Sequence, residues 1–385
     1  MITEKPLSSA ALFWIFLKVG STAFGGFMSL ISVVENIIVE KKKLLKHEDM
    51  LDGISLASML PGPVAVNVVA YVGYRINGVR GAITSAIAVI LPSFFLIVAL
   101  TYFYFRWGSV PVMGKIFMGF IPAVTAVILA AAWGMMRKTI QSSQELLIMV
   151  IAGIVLLVTK HFFVTLFVIF ISGLFGWLIY GKKITGESKI GNATGKRLLS
   201  VSPLVTIPFL QFKIDILTNL FLTFAGMSLV LFGGGYVFIP LIQEIVVDGN
   251  HWVTQKEFID AIAMGQITPG PILISAAFIG YKVAGLFGAL VATVGIFTPP
   301  ALVMIGCTRV MEKVKQSMVL RSALRGVRAA VVGMVYAAAV VIATTMAAHW
   351  VSVVIFIAAM LAVLKFRIDV VWVIPTAGAI GALLY

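Results

Sequence analysis

Two Pro-Gly-Pro sequences interrupt long apolar runs, and the backbone that they break could bind an anion. Pro61-Gly62-Pro63 lies in the first run, and Pro269-Gly270-Pro271 follows 208 positions later. Proline lacks a backbone N–H and clashes with the preceding turn, so a regular helix does not continue through either sequence. The second proline suits the first position of a new helix. The free N–H groups and the positive dipole end of that helix would then form an anion site.

Polar side chains flank both Pro-Gly-Pro sequences and add hydrogen-bonding groups to this predicted site. Asn67 follows the first sequence, whereas Gln266 precedes and Ser275 follows the second. The alternative interpretation is that both breaks only kink helices for packing. The predicted substrate-binding residues are Pro61, Gly62, Pro63, Asn67, Gln266, Pro269, Gly270, Pro271 and Ser275.

Lys18 is a further candidate for the substrate-binding set. It lies within the first apolar segment, six residues after Leu12. An ionisable residue inside a membrane span is a functional candidate by default. Its long side chain could instead extend to the membrane interface, and both interpretations stay open.

A Phe-Gly-Gly sequence occurs in the first helical segment of each half. Phe24-Gly25-Gly26 recurs as Phe232-Gly233-Gly234 at the same 208-residue spacing. Small residues let helices approach each other closely in lipid, so we predict that these residues serve packing and hinge motion. Direct contact between their exposed backbone and the substrate stays open.

The composition defines a membrane protein and argues against other classes. Of 385 residues, 61% are hydrophobic and only 11% are charged, whereas a soluble domain is about 25% charged. The net charge of +14 resides mostly in short loops, where basic residues orient membrane proteins, so no nucleic-acid partner is expected. One cysteine and four scattered histidines offer no metal-ligand spacing. We expect no cofactor, no metal and no enzymatic activity.

The two halves of the chain repeat their glycine, proline and acidic positions. Asp49 matches Glu257 and Asp52 matches Asp260 at an offset of 208, which becomes 207 after one single-residue gap. Agreement of such residues over about 70 positions indicates an internal repeat. Asp52 and Asp260 are predicted to cap the helices that precede the breaks, and a proton-relay role stays open.

A polar stretch rich in Gly, Lys, Ser and Thr separates the repeats. We predict a first transmembrane repeat at residues 1–180, a cytoplasmic linker at residues 181–213 and a second repeat at residues 214–385. The polar composition of the middle stretch is typical of a solvated connection.

Equivalent loops of the two repeats carry opposite charge bias. Residues 41–46 are rich in lysine and their counterpart 248–257 is acidic overall, whereas residues 106–115 hold two basic residues and 309–328 hold six. This bias predicts that the halves are inverted in the membrane. Inversion needs an odd number of crossings in the first half, which has six apolar segments, so one segment must not cross. We therefore predict that each Pro-Gly-Pro segment is re-entrant. In the alternative topology both segments cross fully and the halves are parallel.

Several motifs together resemble the chromate ion transporter (CHR) family. The resemblance rests on Phe-Gly-Gly and Pro-Gly-Pro in both halves, on Gly78 to Ala82 and Leu91-Pro92-Ser93, and on Gly285 to Ala289. It covers both halves and implies the fused, two-domain form, with export of chromate driven by an ion gradient and sulfate as the close analogue. Three positions depart from the pattern expected of the family: Ser58, Phe27 and Pro299-Pro300.

These observations lead to one interpretation of the chain. We predict an all-α polytopic membrane protein of two inverted repeats, each with a broken, re-entrant Pro-Gly-Pro helix. It would act as a secondary transporter in the plasma membrane, exporting chromate or sulfate through a site between the two breaks by proton exchange or down the membrane potential. The alternative is a carrier or channel for a different small anion. A homodimer stays open.

Overall fold

The computed structural model describes most of the chain as helices. The described residues are 7–23, 26–107, 111–159, 162–184, 215–230, 238–310 and 317–385. Within these ranges the regular structure is α-helix, with short π and 3₁₀ segments and no strand. This confirms the all-α class. The predicted hinge residues Phe24, Gly25, Phe232, Gly233 and Gly234 lie outside the described residues, and Gly26 begins a helix.

The first half contains seven α-helices and one π-helix. In chain order they are α1 (Ser9–Thr22), α2 (Gly26–Glu35), the π-helix (Asn36–Lys41), α3 (His47–Met59), α4 (Val64–Trp107), α5 (Pro111–Thr139), α6 (Ser143–Val158) and α7 (Phe162–Ile184). α7 therefore extends a few residues into the predicted linker, and residues 185–213 of that linker lie outside the described part of the chain.

The second half repeats this order. Its elements are α8 (Ile216–Val230), α9 (Phe238–Gln243), a π-helix (Glu244–Gly249), α10 (Gln255–Ile267), a 3₁₀ turn (Ile272–Ile274), α11 (Ser275–Arg309), α12 (Met318–Ala343), α13 (Trp350–Leu364) and α14 (Val370–Leu384).

Among the described residues, four segments are long and apolar enough to cross a membrane, which supports the polytopic membrane class. They are Val64–Trp107, Gly114–Thr139, Ile272–Arg309 and Met318–Ala343. Six shorter apolar helices of 10–17 residues accompany them. Many large apolar side chains on these helices are exposed, as expected for a surface that faces lipid.

Each Pro-Gly-Pro sequence joins two short helices into a hairpin. In the first half, α3 runs toward the break and residues 64–76 of α4 run back, so that an ion pair of 2.6 Å joins Asp49 to Arg75 near the open end. In the second half, Glu257 of α10 and Lys282 of α11 form the matching pair at 2.9 Å. α3 and α10 have 13 residues each, or about 20 Å, which is too short for a hydrocarbon core of about 30 Å.

A second break separates each hairpin from the long helix that follows. The backbone leaves the helical conformation at Asn77 and Gly78, with φ of −142° and 58°. The second half repeats this at Ala284 and Gly285, with φ of −146° and 62°. The chain turns back there, because Gly73 lies against the carbonyl of Gly81. The Pro-Gly-Pro segment is therefore a folded-back hairpin and not one continuous helix; the inverted relationship between the halves stays a prediction.

Helices of each half pack against helices of the other half. α12 of the second half lies against α6 and α7 of the first, where a Cβ on Gly333 would collide with the carbonyl of Met149 and one on Gly326 with that of Ser172. Conversely, α5 of the first half packs against α13 and α14, and Gly119 lies on the carbonyl of Ala377. Glycine at these crossings permits close helix contact without a large apolar side chain.

Two interpretations of charged residues were wrong. The basic stretch 309–328 is not a loop throughout, because α12 begins at Met318. The prediction that Asp52 and Asp260 cap the helices before the breaks was also wrong. The capping carboxylates are Asp49 and Glu257, which accept hydrogen bonds from the N–H groups of Lys46 and Thr254. Asp260 is instead fully buried and accepts a hydrogen bond from the Tyr104 hydroxyl at 2.8 Å.

The inverted, re-entrant topology predicts which face of the membrane each hairpin opens to. In a Cys307→Ser background, we expect Glu48→Cys and Arg80→Cys to react with an impermeant maleimide from the cytoplasmic side only. Lys256→Cys, at the position equivalent to Glu48, should react from the outside only. All three native residues are exposed. Labelling of the Glu48→Cys and Lys256→Cys variants from the same side would contradict the inversion.

Candidate functional site

The two Pro-Gly-Pro turns lie against the long helices of the opposite halves. A Cβ on Gly62 would collide with the ring of Pro300 on α11, and one on Gly270 would collide with the Ser93 hydroxyl on α4. Ser93 and Pro300 are equivalent in the repeat, at an offset of 207. Each turn therefore contacts a long helix of the other half, and both turns lie at the interface between the halves.

Both turns require glycine at their centre. Gly62 has φ of 98° and Gly270 has φ of 105°. This left-handed conformation is costly for a residue with a Cβ. The same glycines also have no room for a Cβ, so backbone conformation and packing both exclude larger residues.

The backbone of the second turn is held by the first half. The Ser93 hydroxyl donates a hydrogen bond to the Pro269 carbonyl. The Gly270 N–H donates to the carbonyl of Ala23, at the end of α1, over 2.8 Å. The Gly270 N–H is therefore not available to a ligand. The backbone N–H groups that could still bind an anion at this turn belong to the helix that follows it.

New helical structure begins directly after the second proline of each turn. α4 begins at Val64, and the Asn67 N–H donates to the Pro63 carbonyl at 2.9 Å. In the second half the 3₁₀ turn begins at Ile272, and the Ile274 N–H donates to the Pro271 carbonyl at 3.0 Å. The N–H groups ahead of the first bonded residue have no partner within the helix, and the helix dipole adds positive potential there.

The side chains around the turns differ in what they offer a ligand. Asn67 donates one of its two amide N–H groups to the Pro61 carbonyl at 2.9 Å, and its buried Oδ1 has no partner. Gln266 is 5% exposed, and neither its Nε2 nor its Oε1 has a partner. Ser275 is 1% exposed, and its hydroxyl also has none. The unpaired side-chain donors thus lie at the second turn.

The predicted candidate Lys18 does not join this group in the structure. Its side chain is exposed on α1, whereas Ala23 on the same helix contacts the second turn. The remaining predicted residues, Pro61 to Pro63 and Pro269 to Pro271, form the two turns themselves.

Arg328 is a site residue that the sequence interpretation missed. It lies on α12, inside a candidate span, and its Nη2 donates to the Ser58 carbonyl at 2.8 Å. Ser58 is on the last turn of α3, immediately before the first Pro-Gly-Pro. The guanidinium therefore interacts with the negative end of that helix dipole and brings a positive charge close to the first turn. Its helical spacing with Arg321 and Arg325 could have indicated a helix face instead of a loop.

The site has no metal-binding constellation in the part of the chain that the structure describes. Groups of three or more His, Cys, Asp or Glu side chains close enough to share an ion do not occur among those residues. The groups near the turns are backbone N–H donors, an amide, a hydroxyl and a guanidinium, all of which can donate to an anion.

Long apolar helices combined with paired, interrupted hairpins define a polytopic membrane protein with the architecture of secondary transporters. The chain belongs to the chromate transporter family, because the model of that family matches residues 10–177 and 218–382. This confirms the resemblance noted in the sequence and supports a chromate transport function.

Individual relatives support the same assignment. The chain is 31% identical to a chromate transport protein of Cupriavidus metallidurans, covering 85% of this chain and 81% of the relative. It is 27% identical to a chromate transport protein of Pseudomonas aeruginosa, covering 99% and 93%. An uncharacterized transporter of Methanocaldococcus jannaschii is 30% identical, covering 86% and 83%. No solved structure shows a significant match to the chain.

Substitution of Gly270 at the turn should lower the free energy of unfolding more than substitution of Gly285, another glycine of positive φ. We expect Gly270→Ala to destabilise the fold by about 2–4 kcal/mol, because it adds loss of the Ser93 hydrogen bond to the strain of a positive φ. Gly285 also has a positive φ, of 62°, but open space around it, so Gly285→Ala should cost about 1–2 kcal/mol. Thermal unfolding of the purified variants measures both. Equal losses would contradict the packing of the turn.

Proposed function

We propose that this protein exports chromate, or the similar dianion sulfate, across the plasma membrane, and that it binds the anion between the two Pro-Gly-Pro turns. Chromate transport is the function supported by the family and by the names of the relatives. The direction of transport, the acceptance of sulfate and the binding site are our proposal.

The observation that carries the site assignment is the pair of unpaired donors at the second turn. Gln266 Nε2 and the Ser275 hydroxyl are buried without a hydrogen-bond partner. Leaving such a group unpaired costs about 1–3 kcal/mol. An oxyanion that accepts both hydrogen bonds would remove this cost. A tetrahedral dianion also suits a site where donors approach from two turns, because its oxygens point in different directions.

The charges around the turns also favour a dianion. The starts of α4 and of the 3₁₀ turn before α11 each present the positive end of a helix dipole. Arg328 adds a full positive charge at the end of α3, next to the first turn. Together these groups supply countercharge without placing a cationic side chain in the second turn.

Export is the direction that the membrane potential favours. A dianion that leaves a cytoplasm of negative potential gains about 2.3 kcal/mol per charge for each 100 mV. In the proposed cycle the linker, residues 181–213, faces the cytoplasm, and the Phe-Gly-Gly sequences act as hinges. The membrane potential, or an exchanged cation, then provides the driving force.

The decisive test is transport into inverted membrane vesicles, in which export appears as uptake. We expect saturable uptake of labelled chromate and competitive inhibition of this uptake by sulfate. Gln266→Leu and Ser275→Ala should each lower the uptake rate at subsaturating chromate by about tenfold, since each removes about 1.4 kcal/mol of hydrogen bonding to the anion.

Ser322→Ala is the matched control for these variants. Ser322 is 1% exposed and its hydroxyl is also unpaired, but it lies on α12 against α7, away from the turns. Its uptake should equal that of the native protein. Normal uptake by both the Gln266→Leu and Ser275→Ala variants would contradict the site, whereas uptake of another anion in place of chromate and sulfate would support the alternative carrier function.

Arg328 provides a separate test of the charge argument. Arg328→Gln should raise the chromate concentration needed for half-maximal uptake by about tenfold, because it removes a charge near the first turn. Arg328→Lys should restore part of the affinity. Arg321→Gln, two helical turns nearer the start of α12 and exposed, should leave uptake unchanged. Equal effects of the Arg328→Gln and Arg321→Gln variants would show that only the net charge of the helix matters.

A further inference from the structure

A cavity of about 280 Å³ lies away from the Pro-Gly-Pro turns, between the ends of α6 and α12 and the π-helix of the second half. Its polar lining includes Thr159, Gln243, Glu244, Asp248, Thr344 and Thr345. Asp248 and Thr344 are exposed, whereas Gln243 and Glu244 are buried. The cavity therefore leads from an open mouth to a buried carboxylate.

Glu244 lacks the countercharge that a buried carboxylate needs. Its side chain is 9% exposed, one oxygen accepts a hydrogen bond from the Thr165 hydroxyl of α7, and Oε1 has no partner. The neighbouring Gln243 is 8% exposed and its Oε1 is also unpaired. No described residue that lines the cavity is basic. Burial of an uncompensated charge is costly, and either a bound cation or a proton would remove this cost.

The hydroxyl groups that line the cavity have oxygen lone pairs to offer. Thr344 and Thr345 donate their hydroxyl protons to the carbonyls of Val341 and Ile342, both at 2.7 Å. Thr159 donates to the carbonyl of Val155. Gln255 adds one unpaired donor, Nε2, and Gln243 lines the cavity with an amide whose Oε1 acceptor is unpaired. Carboxylate, amide and hydroxyl oxygens are the ligands that hard cations prefer.

The equivalent positions of the first half contain their own cations. Glu35, the counterpart of Gln243, forms an ion pair of 2.6 Å with His47. Arg137 and Lys138 occupy the positions that correspond to Thr344 and Thr345. In the first half His47 thus contacts the acidic group directly, whereas the second half has Gln255 at the position of His47 and threonine at the positions of Arg137 and Lys138.

We propose that this cavity binds Na⁺, with Glu244 Oε1 and Gln243 Oε1 as the principal ligands. A monovalent ion fits because one carboxylate is buried, while Asp248 lies at the exposed mouth and attracts cations to it. The volume also admits water molecules that complete the coordination. Since Thr159 and Thr165 belong to the first half and Glu244 to the second, the bound ion would bridge the halves. Its use as the exchanged cation rests on the proposed function, but its binding does not.

Binding of ²²Na⁺ to the purified full-length protein, at fixed pH and ionic strength with choline as the replacing cation, tests this proposal. We expect saturable binding by the native protein and at least about tenfold weaker binding by Glu244→Gln, as expected when a metal site loses its charged ligand. Gln243→Leu should weaken binding as well and serves as a second variant if Glu244→Gln does not fold.

Asp260→Asn is the matched control, because it removes another buried carboxylate of the second half that does not line the cavity. It should bind ²²Na⁺ like the native protein. Absence of saturable ²²Na⁺ binding, including the case in which Glu244 takes up only a proton, would overturn the proposal, as would native-like binding by both the Glu244→Gln and Gln243→Leu variants. The assay requires no anion transport, so its failure is distinguishable from failure of the export proposal.

Discussion

The fold depends on the need to pair backbone groups where the two helices are broken. Inside an apolar environment an unpaired N–H or carbonyl costs several kcal/mol. The second turn meets this need with groups from the other half, namely the Ser93 hydroxyl for the Pro269 carbonyl and the Ala23 carbonyl for the Gly270 N–H. A half by itself could not satisfy this turn. The break in one repeat therefore requires the presence of the other.

The repeated backbone carries different chemistry in the two halves. Both turns have a central glycine of positive φ, and both hairpins close with an ion pair. In the first turn, however, Asn67 donates one amide N–H to the Pro61 carbonyl, while the side chains of Gln266 and Ser275 at the second turn have no hydrogen-bond partner. A symmetric scaffold thus supports an asymmetric site. Such divergence follows from duplication, because side chains can change while the backbone constraints of Pro and Gly persist.

The features that the sequence predicted are those set by local backbone chemistry. The breaks at Pro-Gly-Pro and the helical content depend on residue type and on neighbours in the chain, so they are visible without tertiary information. The missed features depend on contacts between distant segments. Arg328 is adjacent to Ser58 only because the tertiary structure brings the Arg328 side chain of α12 within reach of the end of α3. Asp260 is buried because Tyr104 of the other half lies against it, and no spacing in the sequence predicts that contact. The role of Glu257 as a cap, instead of Asp260, depends on the residue at which α10 begins, a boundary that sequence patterns define poorly.

The exchange of helices between the halves has a consequence for biosynthesis. When α6 and α7 leave the ribosome, the glycine-lined face of α12 on which they pack has not yet been translated. α5 likewise packs against α13 and α14, which are translated after α12. Nascent chains generally fold from the N-terminus as domains are completed, but here the first half has no complete set of neighbours of its own. The inserted helices must therefore remain loosely associated in the bilayer until α12, α13 and α14 have been inserted, so completion of the second repeat, and not of the first, sets the time at which these contacts form.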